Sequence, residues 1–144
     1  MKKGFDYIGV TVCFYCHDGK GNLLLNKRSQ KCRDERGRWD CGGGALRFGE
    51  SWEDGTKREI KEEYGCEVKK LQQVGVNNVI RTHEGRKTHW LAIVFAVQLD
   101  PKTVIIKDRE KIDEIGWFTI NNLPEPLHSM YLTHLGFVKK AKVL

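Results

Sequence analysis

Two runs near the N-terminus, Val10 to Cys16 and Leu23 to Lys27, are rich in β-branched and apolar residues. The six residues between them, His17 to Asn22, carry an Asp-Gly pair and a second glycine, so the pattern predicts a β-hairpin. Arg28 to Arg38 is almost wholly polar and predicts an exposed loop. Trp39-Asp40-Cys41 and three glycines follow, and Ala45 to Phe48 has the look of a short strand. Ser51 to Tyr64 is the clearest helix. Ser51 stands in the N-cap place, Asp54 three residues on is a weaker capping-box partner, and Gly65 takes the position that ends helices in a left-handed turn. Val68 to Thr82 and Thr88 to Leu99 predict a longer hairpin around His-Glu-Gly-Arg-Lys, and Glu114 to Ile120 a further strand. After the breaker cluster Asn121 to Pro126, apolar residues at Leu127, Met130, Tyr131, Leu135 and Val138 fall near helical spacing, which predicts a helix over 127–140. The order is strands, helix, strands, helix. That succession predicts a mixed α/β (α+β) domain with helices packed on a mostly antiparallel or mixed sheet.

The length, 144 residues, suits one domain over 1–144, large enough to hold a core without a disulfide or metal staple. The longest uncharged apolar stretch, Trp90 to Leu99, is about half of the ~18 residues that a membrane-spanning helix needs. The start, Met-Lys-Lys-Gly-Phe-Asp, has no apolar signal core. A soluble, cytoplasmic protein without a membrane partner is the expectation.

Five cysteines at irregular spacing fit a reducing compartment better than a disulfide framework. Cys13-Phe-Tyr-Cys16-His17 formally matches a metal, redox or haem-attachment pattern. On a strand, however, residues three apart point to opposite faces, so these two sulfurs are not expected to converge. His83, His89 and His128 show no zinc-site spacing.

Charge sharpens the picture. The chain carries 25 Lys+Arg and 19 Asp+Glu, a formal charge of +6, and the window from Lys20 to Arg38 holds seven bases and two acids. A positive field attracts nucleic acid, anionic membrane and small phosphorylated molecules alike, so it predicts an anion without naming one. The helix that follows carries the opposite sign. Glu59, Glu62 and Glu63 are related by i,i+3 and i,i+4, which places three carboxylates within about 100° of arc on one face. They are either a solvated acidic face or a half-open site for a hard divalent cation such as Mg²⁺, which takes oxygen ligands and usually shares them with substrate phosphates.

The stretch from Gly44 to Cys66 resembles the signature of the Nudix hydrolases, G-x5-E-x7-R-E-U-x-E-E-x-G-U, with U a bulky aliphatic. Gly44, Glu50, Arg58, Glu59, Ile60, Glu62, Glu63 and Gly65 fall in register, and only Cys66 departs, a small apolar packer in place of an aliphatic. The loop before the box, Leu23 to Ser29 and Trp39 to Gly43, and the stretch Glu114 to Pro124 also look like the family. The resemblance therefore covers most of the chain. It implies the Nudix fold, a mixed β-sheet flanked by helices in an α-β-α sandwich.

Such enzymes hydrolyse a nucleoside diphosphate linked to another group, releasing a nucleoside monophosphate and P-X by attack of water on phosphorus. By position, Glu59, Glu62 and Glu63 would be ligands of Mg²⁺ (or Mn²⁺), with the carbonyl of Gly43 or Gly44 as an extra ligand and Glu59 doubling as base. Glu50 would brace the loop or add to the metal shell. Arg58 would orient a glutamate, unless it is an ordinary surface cation. Many relatives place another glutamate shortly before the later strand: Glu110 is the candidate, Asp113 and Glu114 are alternatives, and a solvated loop acid is the plain reading. Arg28, Lys31, Arg33, Arg36 and Arg38 are candidates for substrate phosphates, of which two or so would act, and Trp39, Trp90, Tyr131 and Phe137 are either stacking platforms or packing residues. The expected partner is a small nucleotide (an NTP, oxidised NTP, nucleotide sugar or ADP-ribose), bound by a monomer or homodimer. An RNA 5′ end and a non-catalytic nucleotide- or RNA-binding module are the alternatives.

Overall fold

The computed structural model describes all residues from 1 to 144. Its strands are β1 (Gly9–His17), β2 (Leu23–Arg28), β3 (Trp39–Asp40), β4 (Gly42–Ala45), β5 (Lys70–His83), β6 (Arg86–Gln98) and β7 (Ile112–Phe118), and its helices are α1 (Trp52–Tyr64) and α2 (Tyr131–Lys140). The strands form one sheet in the order β3-β2-β1-β6-β5, with β4 paired to β1 and β7 to β2. β1 and β6 run parallel from Gly9↔Trp90 to His17↔Gln98, and every other pairing is antiparallel. The sheet is therefore mixed.

Strand periodicity divides the core in two. Val12, Phe14 and Cys16 point to one face, where Leu24, Ile93 and Phe95 join them under Ile60 and Tyr64 of α1. Tyr15, Leu23, Leu25, Val94 and Ala96 point to the other, under Tyr131, Leu135 and Val138 of α2. Helix, sheet and helix are thus stacked as an α-β-α sandwich. Cys13 and Cys16 fall on opposite faces, and all five cysteines are free.

Several predicted boundaries move. The short strand lies at Gly42–Ala45 rather than 45–48, because the glycines themselves pair with Val12 to Phe14 of β1. The second helix begins at Tyr131, four residues later than its apolar spacing implied. Residues 126–128 are held by backbone bonds to Trp39 instead, from the Trp39 N–H to the Pro126 carbonyl and from the His128 N–H to the Trp39 carbonyl, both at 2.8 Å. The last strand starts at Ile112 and stops at Phe118, and Ile120 belongs to a 3₁₀ turn. In the long hairpin Glu84 and Gly85 both have positive φ, 50° and 78°, the signature of a two-residue type I′ turn, so Arg86 and Lys87 are strand rather than loop. No helix is long and apolar enough to cross a membrane.

Candidate active site

Helix α1 presents the site. Ser51 Oγ accepts the Asp54 N–H at 3.1 Å at its start, and Gly65 closes it at φ 66° with its N–H on the Lys61 carbonyl. Between these caps the buried face carries Ile60 and Tyr64 into the core and brings Glu59 and Glu63 against β4. Gly44 faces Glu59 so closely that a β-carbon there would overlap the Glu59 carboxylate. Only glycine leaves room for that carboxylate at this place.

Arg58 organises the acids. Its Nε donates to Glu50 Oε2 at 2.9 Å and its Nη2 to Glu50 Oε1 at 2.6 Å, a two-pronged grip. Its Nη1 reaches Glu59 Oε1 at 2.9 Å and Glu62 at 3.4 Å, and Nη2 also bonds the Ala45 carbonyl at 3.2 Å. The Arg58 guanidinium holds the Glu50 carboxyl down at about 2, well below the usual carboxylate range. Arg47 adds its backbone N–H to Glu50 at 2.9 Å and its guanidinium to Glu62 at 3.6 Å. Glu62 remains half exposed.

Glu63 differs. Its side chain is 3% exposed, and burial pushes its carboxyl up to about 8. Lys111 meets it at 3.1 Å and simultaneously donates to the Gly43 carbonyl at 3.2 Å. Burial works against the Lys111 charge, but Glu63 outweighs it and the ammonium is held above its ordinary range.

As they stand, no three His, Cys, Asp or Glu side chains converge into a set that would hold a metal ion. The carboxylates are engaged by Arg58 and Lys111 instead. The donor chemistry nonetheless fits a hard divalent cation: carboxylate oxygens on one helix face, one of them deeply buried, and a glycine carbonyl beside it. Two cationic side chains already lie on these oxygens, which is the demand such an ion would meet.

Next to the acids lies a cavity of about 790 Å³ lined by Glu63, Gly43, Gly44, Lys111, Asp40 and Trp90, among others. Arg28 and Arg33 are in its wall. Arg28 is tied to Asp34 at 2.9 Å, and Arg33 lies over the Trp90 ring at 6.0 Å. Arg38 is not in the wall and donates to the Leu127 carbonyl at 2.9 Å. Glu110 is not brought to the acidic cluster either: its side chain is 77% exposed and pairs with Lys31 at 3.3 Å. Its neighbour Lys111 points in. Trp39 packs edge-on to Phe118, Tyr131 is core, and Trp90 alone of the four candidate platforms lines the cavity.

Sequence reading missed Lys111 and Glu35. The first is one of several charged residues before the last strand, and only the fold brings it to Glu63 and the Gly43 carbonyl. The second sits in a basic run at φ 50°, yet its half-buried carboxylate accepts from the Ser129 N–H at 2.8 Å and from Arg81 at 3.1 Å.

The layering of one helix, a mixed sheet and a second helix is that of solved NUDIX hydrolases. The NUDIX domain family model matches residues 8–140, and the chain belongs to that family. It is 29% identical over 141 residues to the 8-oxo-dGDP phosphatase NUDT18 of Homo sapiens, and 26% identical to that of Mus musculus. These matches take in 94% of this chain but only 39% of either relative. Among solved structures, the MutT NUDIX hydrolase of Burkholderia pseudomallei superposes with a TM-score of 0.81 at 27% identity, covering 92% of this chain and 99% of that one. The NUDIX domain of Shewanella oneidensis NrtR, solved with ADP ribose, shares the fold at 15% identity and a TM-score of 0.71, with 98% and 90% covered.

Proposed function

We propose that the chain hydrolyses the pyrophosphate bond of a small nucleotide, a nucleoside di- or triphosphate (including oxidised purines), a nucleotide sugar or an ADP-ribose type compound, releasing a nucleoside monophosphate and P-X. The observation that carries this reading is the continuity of the cavity. Trp90 and Arg33 in its wall suit a base, while Glu63, Gly43 and Lys111 in the same wall suit a diphosphate with its counter-cation. The cytoplasm suits a chain whose five cysteines are unpaired.

The family generally works with a divalent metal. Mg²⁺ or Mn²⁺ would be held by Glu59, Glu62 and Glu63 with the Gly43 carbonyl, and when bound would supply positive charge against the pyrophosphate oxygens. Arg58 fixes Glu59 through Oε1, which leaves Oε2 to accept a proton from the attacking water. Glu50 anchors Arg58 and so positions Glu59 without reaching substrate. Arg33 supplies positive charge to the cavity, whereas Arg28 in the same wall is paired with Asp34.

The basic segment favours a small nucleotide over an RNA end. Much of its charge is spent internally, Arg28 on Asp34, Lys31 on Glu110, Arg38 on Glu35 and the Leu127 carbonyl, so little is free for a string of phosphates. The test is a Mg²⁺-dependent screen of nucleoside di- and triphosphates, their 8-oxo-purine forms, nucleotide sugars, ADP-ribose, dinucleoside polyphosphates and capped RNA, read by monophosphate and phosphate release. The similarity to NUDT18 puts 8-oxo-dGDP first. Turnover of a small nucleotide with monophosphate as product is expected. Turnover of RNA ends alone, or of nothing, overturns the proposal.

A further inference from the structure

We infer that Lys111 is a tethered cation that competes with the divalent ion: the ion reaches Glu63 and the Gly43 carbonyl only by displacing the Lys111 ammonium. This inference deepens the proposed function and rests on its metal reading. The geometry is specific. One ammonium donates to a backbone carbonyl at 3.2 Å and to a carboxylate at 3.1 Å, two oxygens from different elements, β4 and α1. Both are the kind of donor a hard cation takes. Lys111 reaches them from the residue just before β7, anchored by its own backbone: the Lys111 N–H bonds the Asp108 carbonyl at 3.3 Å, and its carbonyl accepts the Ser29 N–H at 2.9 Å.

The ammonium also answers an electrostatic need. Glu63 is almost fully buried beside Glu59, and a carboxylate in that setting is costly without a partner charge. Lys111 supplies part of that charge when no ion is bound. The same contact raises the ion concentration at which the site loads, because a lysine stem must first swing its charge out. Lys111 is half exposed at its side chain, which gives the ammonium a route to solvent. Arg58 cannot play this part, since it is gripped by Glu50 from two sides.

The test measures Mn²⁺ binding to the full chain by electron paramagnetic resonance, without substrate, for wild type, Lys111→Met and Lys111→Arg. Removing a competing unit charge at this range is expected to tighten Mn²⁺ binding about tenfold or more in Lys111→Met, with Lys111→Arg close to wild type. A second measurement needs no variant: amine acetylation of wild-type protein, quantified at Lys111 by mass spectrometry, should rise severalfold at saturating Mg²⁺. This decides the matter if Lys111→Met fails to fold. Equal Mn²⁺ affinities in folded proteins, or unchanged acetylation of Lys111, overturn the competitor role and leave the proposed function standing. Absence of Mn²⁺ binding to every form overturns both.

Discussion

Arg58 and Glu50, eight residues apart, are joined by two parallel hydrogen bonds of 2.9 and 2.6 Å, and the same guanidinium continues to Glu59 at 2.9 Å. The loop before α1 and the first acid of the site are therefore set by one planar group. A lysine supplies the charge but not the fork. Arg58→Lys is expected to lower kcat by about 10–100-fold while KM moves only a few-fold, because the lost contacts orient Glu59 and do not touch substrate. Steady-state kinetics check this, and a wild-type kcat would remove Arg58 from the positioning of Glu59.

Glu62 is the exposed member of the trio, 47% accessible and bound only loosely by Arg58 and Arg47, at 3.4 and 3.6 Å. Its charge contributes little to folding. Glu62→Gln should lower turnover by about two orders of magnitude or more while the thermal midpoint stays within about 2 °C, the pattern of a residue kept for its charge toward a cation. Activity like wild type at limiting Mg²⁺ would sink its assignment as a ligand.

Gly44 tests the same site from the sheet side. A β-carbon there collides with the Glu59 carboxylate, and the carboxylate cannot simply swing away without leaving Arg58. Gly44→Ala should cost at least about tenfold in kcat, since small displacements of reacting groups carry such penalties. Kinetics together with circular dichroism separate this from misfolding, and full activity would show that Glu59 has room to spare.

The same glycine shows why part of the fold escaped sequence reading. Gly42, Gly43 and Gly44 have poor strand propensity and look like loop, so the residue pattern places the short strand three residues later. Tertiary contacts decide otherwise: the Phe14 ring lies where a side chain of Gly42 would be, and Glu59 where that of Gly44 would be. Helix α1 was legible to the residue because Ser51 and Gly65 mark its ends chemically, and the glutamate trio followed from its periodicity. The start of α2 was not, because Leu127 has helical spacing to Met130 and Tyr131 but is claimed, together with His128, by Trp39 across the chain. Lys111 was hidden for a different reason. A lysine among charged residues carries no local sign that it will reach a carbonyl 68 positions away.

Glu35 ties the basic loop to β5 and to the segment before α2, accepting from Ser129 and Arg81 with Arg38 and His128 at 3.9 and 4.0 Å. Burial would raise its pKa, but the Ser129 N–H, His128 and Arg81 outweigh burial and hold the carboxyl below the usual 4.5. A depressed carboxylate pKa contributes stability that is fully present above the unfolded value and is lost as pH falls through the folded one. The stability gap between wild type and Glu35→Gln should accordingly be larger at pH 7 than at pH 3.5, measured by urea unfolding. A gap that does not shrink in acid would show that Glu35 acts through shape rather than charge.

Tyr15 and Tyr131 lie ring against ring, centroids 5.0 Å apart, yet their hydroxyls fare differently. Tyr15 Oη donates to the Tyr131 carbonyl at 2.6 Å, whereas Tyr131 Oη is buried with no hydrogen-bond partner. Removing a hydroxyl that makes a bond loses that bond, while removing one that makes none recovers its desolvation cost. Tyr15→Phe should therefore destabilise by about 1 kcal/mol, and Tyr131→Phe should be neutral or stabilise by up to about 1 kcal/mol. Because the rings touch, the double variant should depart from the sum of the two. Chemical denaturation of all four proteins measures both signs. Equal losses from the two single variants would mean that the Tyr131 hydroxyl has a partner in solution, and the floor of the α2 face would then have to hold a water or a ligand group at that point.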